Sequence, residues 1–127
     1  MVRNRNIVAI VDDDADMRDA LEMMLSLEGY QTELFSSGKE FIAAARTTQA
    51  TCLLVDLQLG GMSGVEMCHA LTAMGHDFPV IFMTGSHDHI LYRLALDVPH
   101  VAFLHKPFPI EQLVESLDKA AAHRAPN

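Results

Sequence analysis

Residues 7–14 of the chain read IVAIVDDD, a short apolar run that ends in three consecutive acids. Similar apolar runs occur at 52–55, 80–83 and 101–104, and a more polar run occurs at Gln31–Phe35. Nearly continuous apolar character is typical of strands buried on both faces of a parallel sheet. The sequence therefore predicts four buried strands and a more exposed edge strand at Gln31–Phe35.

Helical patterns separate these runs. Helices are predicted over 16–28, 41–46, 65–74, 87–96 and from Pro109 to about residue 121. Gly29 supplies a left-handed cap for the first, and Ser37 with Glu40 and Ser63 with Glu66 form capping-box patterns ahead of the second and third. Five strand–helix pairs imply an α/β fold, with a five-stranded parallel sheet, right-handed crossovers and helices on both faces.

Composition narrows the class of protein. The 127 residues are 50% apolar and 20% charged, which predicts one globular domain with a core at about 6–122 and a tail at 123–127. Two cysteines are too few for a disulfide framework, so a reduced intracellular setting is expected. The net charge of −8 argues against direct nucleic-acid binding. The short apolar runs argue against a signal peptide or membrane segment, so we expect a soluble cytoplasmic protein.

Polar side chains follow four of the predicted strands. In open parallel sheets, functional groups gather beyond the carboxyl ends of the strands. The residues there are Asp12, Asp13, Asp14, Asp56, Thr84, Gly85 and Lys106. Two carboxylates 4 Å apart repel by about 4 kcal/mol at an effective dielectric constant near 20, so such a cluster calls for a cation. Oxygen ligands suit Mg²⁺ or Mn²⁺, and a lysine, a hydroxyl and a free backbone N–H can bind an anion. Together they predict a phosphoryl-handling site.

Each of these residues also has an ordinary structural explanation. The Asp12–Asp14 acids suit a helix cap and a solvated loop, and Asp56 suits a strand-end turn. Thr84 with Gly85 suits a turn, and Lys106 suits an exposed surface. The functional interpretation depends on their combination at one sheet edge.

The residues at the strand ends lie in five short motifs, which are IVDD at 10–13, LVDL at 54–57, MSGVE at 62–66, FMTG at 82–85 and FLHKPF at 103–108. In these motifs and their spacing the chain resembles the receiver domain of bacterial two-component response regulators, most of all the receivers of the nitrogen-fixation and nitrate-response type. The resemblance covers about residues 6–122. It implies a flavodoxin-like (βα)5 fold with strand order 2-1-3-4-5.

The resemblance implies roles for the residues at the strand ends. Asp56 is the expected phosphoacceptor, which takes a phosphoryl group from a phosphohistidine. Mg²⁺ (or Mn²⁺) is expected on Asp13, Asp56 and the backbone carbonyl of Gln58, with Asp12 holding a metal-bound water. The other implied roles are phosphoryl binding by Thr84, Gly85 and Lys106, switching by Thr84 and Phe103, and control of acyl-phosphate lifetime by Gln58 and Ser86. The Lys106–Pro107 peptide bond is expected to be cis.

The resemblance also implies partners. The phosphoryl donor is expected to be a sensor histidine kinase or a histidine phosphotransfer protein, and the output an unidentified protein target. The face made by helix four, strand five and helix five is expected to change on phosphorylation and to support a homodimer. The chain is then a signalling receiver that catalyses its own phosphorylation and dephosphorylation, rather than an enzyme with a separate substrate.

Two positions depart from the family pattern. Gly60 stands where relatives usually carry proline, which predicts a freer loop beside the metal site. Pro99 stands where relatives usually carry glycine after helix four. Because proline cannot adopt the positive φ of a glycine cap, helix four is predicted to end without an ordinary left-handed cap near residue 99.

Two alternatives remain open at this point. In one, the chain is a degenerate receiver that serves as a constitutive protein-docking module. In the other, it is a phosphatase of the haloacid-dehalogenase kind, with Asp12 as the nucleophile and Asp14 as the general acid. That second alternative leaves Asp56 without a role.

Overall fold

The computed structural model describes residues 6–85 and 89–124, which form one parallel sheet with five helices. The sheet order is β2-β1-β3-β4-β5, as predicted. The strands are β1 Ile7–Val11, β2 Gln31–Phe35, β3 Cys52–Asp56, β4 Val80–Thr84 and β5 Ala102–His105. The helices are α1 Ala15–Leu27, α2 Gly38–Ala44, α3 Gly64–Ala73, α4 His89–Ala95 and α5 Ile110–Arg124.

The two faces of the sheet build two hydrophobic layers. Alternate strand residues point to opposite faces, so Ile10 and Leu54 pack with α1 and α5, whereas Val11 and Val55 pack with α2 and α3. Every residue of β3 and β4 is buried, and β2 is a partly exposed edge strand, as its polarity predicted. The prediction of a buried fifth strand is wrong, because β5 forms the opposite edge of the sheet and only Leu104 of its four residues is buried. This packing fixes the strand ends on which the polar residues sit.

The N-termini of α2 and α3 show which of the predicted capping boxes form. Ser63 accepts a hydrogen bond from the Glu66 N–H, and the Glu66 side chain accepts one from the Ser63 N–H, so the predicted capping box of α3 is present. At α2, Ser37 accepts from the Glu40 N–H at 3.1 Å. The Glu40 carboxylate accepts instead from Ser36, one residue earlier, so the predicted reciprocal box is not closed there.

The helix ends confirm two predictions and correct a third. Gly29 has φ 90° after α1, as expected, and no described residue other than glycine has a positive φ, so α4 has no left-handed cap near Pro99. Helix α5 continues to Arg124, beyond its predicted end at about residue 121, because the alanine-rich segment before Arg124 favours helix. None of the described helices is both long and apolar enough to cross a membrane.

Candidate functional site

The carboxyl ends of β1, β3 and β5 converge on one open cavity. Strand register pairs Val11 with Val55 and Thr84 with His105, so the residues that follow them reach the same edge. The cavity has a volume of about 360 Å³. The described residues that line it are Asp12, Asp13, Asp14, Asp56, Gln58, Leu59, Gly60 and Lys106.

Lys106 bridges two of the carboxylates. Its Nζ lies 2.6 Å from Asp56 Oδ2 and 3.3 Å from Asp12 Oδ2. The backbone N–H of Lys106 donates to the Thr84 carbonyl, which ties the residue to the end of β4. The Lys106–Pro107 peptide bond is cis, as the resemblance predicted. A single ammonium group therefore offsets the charge of two acids that come from different strands.

Backbone N–H groups hold the remaining carboxylate oxygens. Asp56 Oδ1 accepts from the Gln58 N–H at 3.0 Å, and Asp12 Oδ1 accepts from the Asp14 N–H at 2.9 Å. Asp13 Oδ2 accepts from the Gly60 N–H at 3.0 Å. Each of the three acids therefore has a defined orientation before any ligand binds.

Burial and charge shift the proton affinities of the pair Asp12 and Lys106. Burial raises the pKa of Asp12, and the nearby charge of Asp56 raises it further. The hydrogen bond from the Asp14 N–H and the presence of Lys106 lower the pKa, but they do not cancel the increase. Burial by itself would lower the pKa of Lys106, but the hydrogen bond and charge of Asp56, with those of Asp12, outweigh it and raise the pKa. Lys106 is consequently a permanent cation at neutral pH.

The donor chemistry of the cavity suits a hydrated divalent cation. Within residues 6–85 and 89–124, no three carboxylate, imidazole or thiol groups lie close enough together to hold one ion by themselves. Mg²⁺ usually keeps several of its waters and binds through one or two carboxylates. Carboxylate oxygens around an open cavity match that requirement, and they do not match a closed structural metal cage.

The other predicted site residues lie at different distances from this cavity. Thr84 is buried at the end of β4, where its hydroxyl donates to the Gly85 carbonyl at 3.1 Å. Neither Thr84 nor Gly85 is among the described lining residues. Phe103 lies on β5, away from the cavity, with its ring against Phe82, Tyr92 and His100. Ser86 lies outside the described residues.

The sequence did not point to two contacts of the site. Arg18 of α1 donates from Nη1 to the backbone carbonyl of Asp12 at 2.7 Å, and the Gly60 N–H holds Asp13. The second hydrogen bond ties the loop at Gly60 to the end of β1, and the expectation of a freer loop there stays a prediction. Neither contact belongs to one of the sequence motifs described above.

Asp14 has a structural role. It is the N-cap of α1, and its carboxylate accepts from the Asp16 N–H at 3.0 Å and from the Met17 N–H at 3.4 Å. The alternative phosphatase interpretation needed this carboxylate as a general acid. In this structure Asp14 Oδ1 accepts both of these capping hydrogen bonds, so the carboxylate serves the N-terminus of the helix.

The chain is similar in sequence to known proteins over most of its length. The sequence profile of the response regulator receiver domain matches residues 8–118. The transcriptional regulatory protein FixJ of Bradyrhizobium diazoefficiens is 31% identical over 119 residues, which are 94% of this chain and 58% of that protein. FixJ of Rhizobium meliloti is 32% identical over 116 residues, 91% of this chain and 57% of that protein. The chain thus spans less than two thirds of the length of these relatives.

A solved structure extends the likeness to three dimensions. The crystal structure of FixJ-N superimposes with a TM-score of 0.88 at 30% identity, and the match covers 96% of this chain and 98% of that one. The parallel strand order and the five helices are therefore those of a receiver fold.

Proposed function

The chain belongs to the response regulator receiver domain family, and from that premise we propose that Asp56 is the phosphoacceptor of a two-component phosphorelay. The observation that carries the proposal is the Asp56 carboxylate at the end of β3, facing an open cavity and 2.6 Å from the Lys106 ammonium. The proposed donor is a phosphohistidine on a sensor histidine kinase or a histidine phosphotransfer protein.

In the proposed transfer, the Asp56 carboxylate and the incoming phosphoryl group are both negatively charged. A carboxylate oxygen of Asp56 forms a bond to phosphorus while the phosphorus–nitrogen bond of the phosphohistidine breaks, and the imidazole leaves with that electron pair. Lys106 reduces the repulsion between the carboxylate and the incoming phosphoryl group, and the Gln58 N–H keeps the carboxylate oriented. The product is an acyl phosphate on Asp56.

Asp13, Asp56 and the Gln58 carbonyl would hold Mg²⁺ or Mn²⁺ directly, and Asp12 would hold one of its waters. When bound, the cation supplies further neutralisation of the charge that builds up on the phosphoryl oxygens. Dephosphorylation is the attack of water on the same phosphorus, with cleavage of the bond to Asp56 and return of its carboxylate. Gln58 lines the cavity and Ser86 follows Gly85, so we propose that both influence the rate of this attack.

The proposed signal passes from Thr84 to the face formed by α4, β5 and α5. The Thr84 hydroxyl would exchange the Gly85 carbonyl for a phosphoryl oxygen, with the Gly85 N–H as a second donor, and Phe103 would turn into the space released. On that face, Ile90 and Leu94 of α4 are exposed apolar side chains. We propose this face as the surface for a downstream protein or for a second copy of the chain.

The test is the intact mass of the protein after incubation with a small acyl-phosphate donor, with and without Mg²⁺. Asp19 on α1 is exposed and lies outside the cavity lining, so Asp19→Asn is the matched control. We expect a Mg²⁺-dependent gain of one phosphoryl group in the wild type and in Asp19→Asn, and no gain in Asp56→Asn. Labelling that survives Asp56→Asn contradicts the assignment, and if it is lost in Asp12→Asn it supports the phosphatase alternative. No labelling in any variant supports a docking module.

A further inference from the structure

One hydrogen bond connects the loop after β3 to the acids after β1. The Gly60 N–H donates to Asp13 Oδ2 at 3.0 Å, across 47 residues of sequence. Asp12 and Asp56 both contact Lys106, whereas Asp13 is exposed and is held by this backbone donor. The least buried of the three acids is therefore oriented by the main chain instead of by a cation.

We propose that the Gly60 amide is a positioning group that orients Asp13 for a divalent cation, an inference that rests on the proposed function. An exposed aspartate loses rotamer freedom when it becomes a ligand. The N–H bond to Oδ2 fixes the side chain beforehand and leaves Oδ1 available to coordinate. A group that hydrogen-bonds to a metal-ligating side chain and fixes its orientation commonly contributes about tenfold or more to metal affinity.

The identity of residue 60 decides whether this donor exists. The backbone of Gly60 does not adopt a left-handed φ, and a Cβ built there lies 3.4 Å from Asp13 Oδ2, an ordinary contact. Alanine should therefore fit and keep the N–H. Proline, which the family resemblance places here in relatives, has no N–H, and its ring carbon lies where the hydrogen points. The Asp13 carboxylate would have to turn away from a proline.

This difference gives a matched pair of variants. The affinity for Mg²⁺ is measured by titrating ¹⁵N-labelled protein and following amide shifts around the cavity, and for Mn²⁺ by the electron paramagnetic resonance signal of the free ion. We expect Gly60→Pro to weaken binding by about tenfold, at the lower end of the range for such supporting groups. Gly60→Ala keeps the N–H and is the matched comparison, so it should bind the ion more tightly than Gly60→Pro. Equal affinities of the proline and alanine variants would overturn the inference.

A metal-free measurement shows whether the contact itself exists, even if proline distorts the loop. In the wild type without divalent ions, the Gly60 amide proton should exchange with solvent more slowly than in Asp13→Ala, which removes its acceptor. Asp19→Ala should leave the exchange rate unchanged. If the Gly60 amide proton exchanges at the same rate in Asp13→Ala as in the wild type, the inference is overturned.

The outcomes separate this inference from the function it rests on. If the wild type binds no divalent ion, the metal assignment of the proposed function fails, and the role of Gly60 fails with it. If the wild type binds Mg²⁺ and gains the phosphoryl group while the proline and alanine variants bind equally well, only the role of Gly60 is lost.

Discussion

Replacing Lys106 with methionine should destabilise the protein in a way that depends on pH and on divalent ions. The substitution keeps an unbranched side chain of similar length and removes the ammonium that lies 2.6 Å from Asp56 Oδ2 and 3.3 Å from Asp12 Oδ2. Two carboxylates from neighbouring strands then face each other without their shared cation.

The distances set the scale of the loss. At an effective dielectric constant near 20, the two contacts correspond to gross attractions of about 6 and about 5 kcal/mol. Much of this is offset by the cost of removing the charges from water, and breaking a fully buried pair costs about 3–5 kcal/mol. The Lys106 side chain is 25% exposed, so water screens the pair and we expect a loss of about 1–3 kcal/mol at pH 7.

The sign of the pH dependence follows from the carboxylates that remain. Burial and the charge of Asp56 raise the pKa of Asp12, and in the variant Lys106 no longer opposes them, so this pKa should lie further above its unfolded value. The native state then binds more protons than the unfolded state, so the free energy of unfolding of Lys106→Met should rise as the pH falls from 7 towards 5. The deficit relative to the wild type should accordingly be largest at neutral pH.

Urea unfolding at several pH values, with and without Mg²⁺, measures this deficit. Lys119→Met is the control, because Lys119 is an exposed residue of α5 and its loss changes the net charge equally. Mg²⁺ should stabilise Lys106→Met more than it stabilises the control. Equal unfolding free energies of the two variants at pH 7 would refute the reasoning, and so would a stability of Lys106→Met that rises with pH.

Three further predictions concern the same region and the core. Gly64→Ala places a Cβ 2.7 Å from the Asp56 carbonyl oxygen and should lower the free energy of unfolding by about 1–3 kcal/mol; an unchanged urea midpoint would contradict this. Burial raises the pKa of Asp12 above its ordinary value of 3.8, so without divalent ions its contribution to the free energy of unfolding should decrease as pH rises through the raised pKa. Asp12→Asn should remove this pH dependence of the free energy of unfolding, as measured by urea unfolding at several pH values. An identical pH dependence in the variant would count against the prediction. Burial raises the pKa of Cys68 to about 12, so a thiol reagent at pH 8 should label Cys68 and the buried Cys52 slowly in the native protein and rapidly in guanidinium; fast native labelling would show that the core opens readily.

Most of the fold could be predicted because the sheet is buried on both sides. The apolar runs of β1, β3 and β4 leave few alternatives to interior parallel strands, and the polar residues of Gln31–Phe35 identified one of the two edge strands. The apolar run of β5 did not reveal that it is the other edge strand. The predicted strand ends were short by a residue where the polar chemistry begins, at Asp56 and Thr84. Polar side chains do not look like strand residues, although their backbone still pairs with the neighbouring strand.

The capping patterns show where such prediction stops. Ser63 with Glu66 and Ser37 with Glu40 have the same spacing, yet only the first closes a reciprocal box among the described residues. At the second, Glu40 accepts from the N–H of Ser36, and both N–H groups are within reach of a flexible side chain. The spacing therefore indicates which hydrogen bonds can form, but not which of them does.

The sequence predicted that Asp12, Asp13, Asp56, Gln58 and Lys106 lie together, and they line one cavity. Thr84 and Gly85 lie outside that lining, and the hydrogen bond of Thr84 was not predicted. Its hydroxyl now donates to a neutral carbonyl, a bond of about 1 kcal/mol net, whereas a bond to a charged phosphoryl oxygen contributes about 1.5–3 kcal/mol. In the proposed switch, the exchange therefore yields about 0.5–2 kcal/mol, which shifts a two-state equilibrium by roughly 2- to 30-fold.

A change in the populations of the two states from 1:99 to 99:1 needs about 5.5 kcal/mol. Thr84 cannot supply that by itself. The remainder has to come from Lys106, which would exchange two carboxylates for a phosphoryl group, and from the repacking of Phe103 away from Tyr92 and His100.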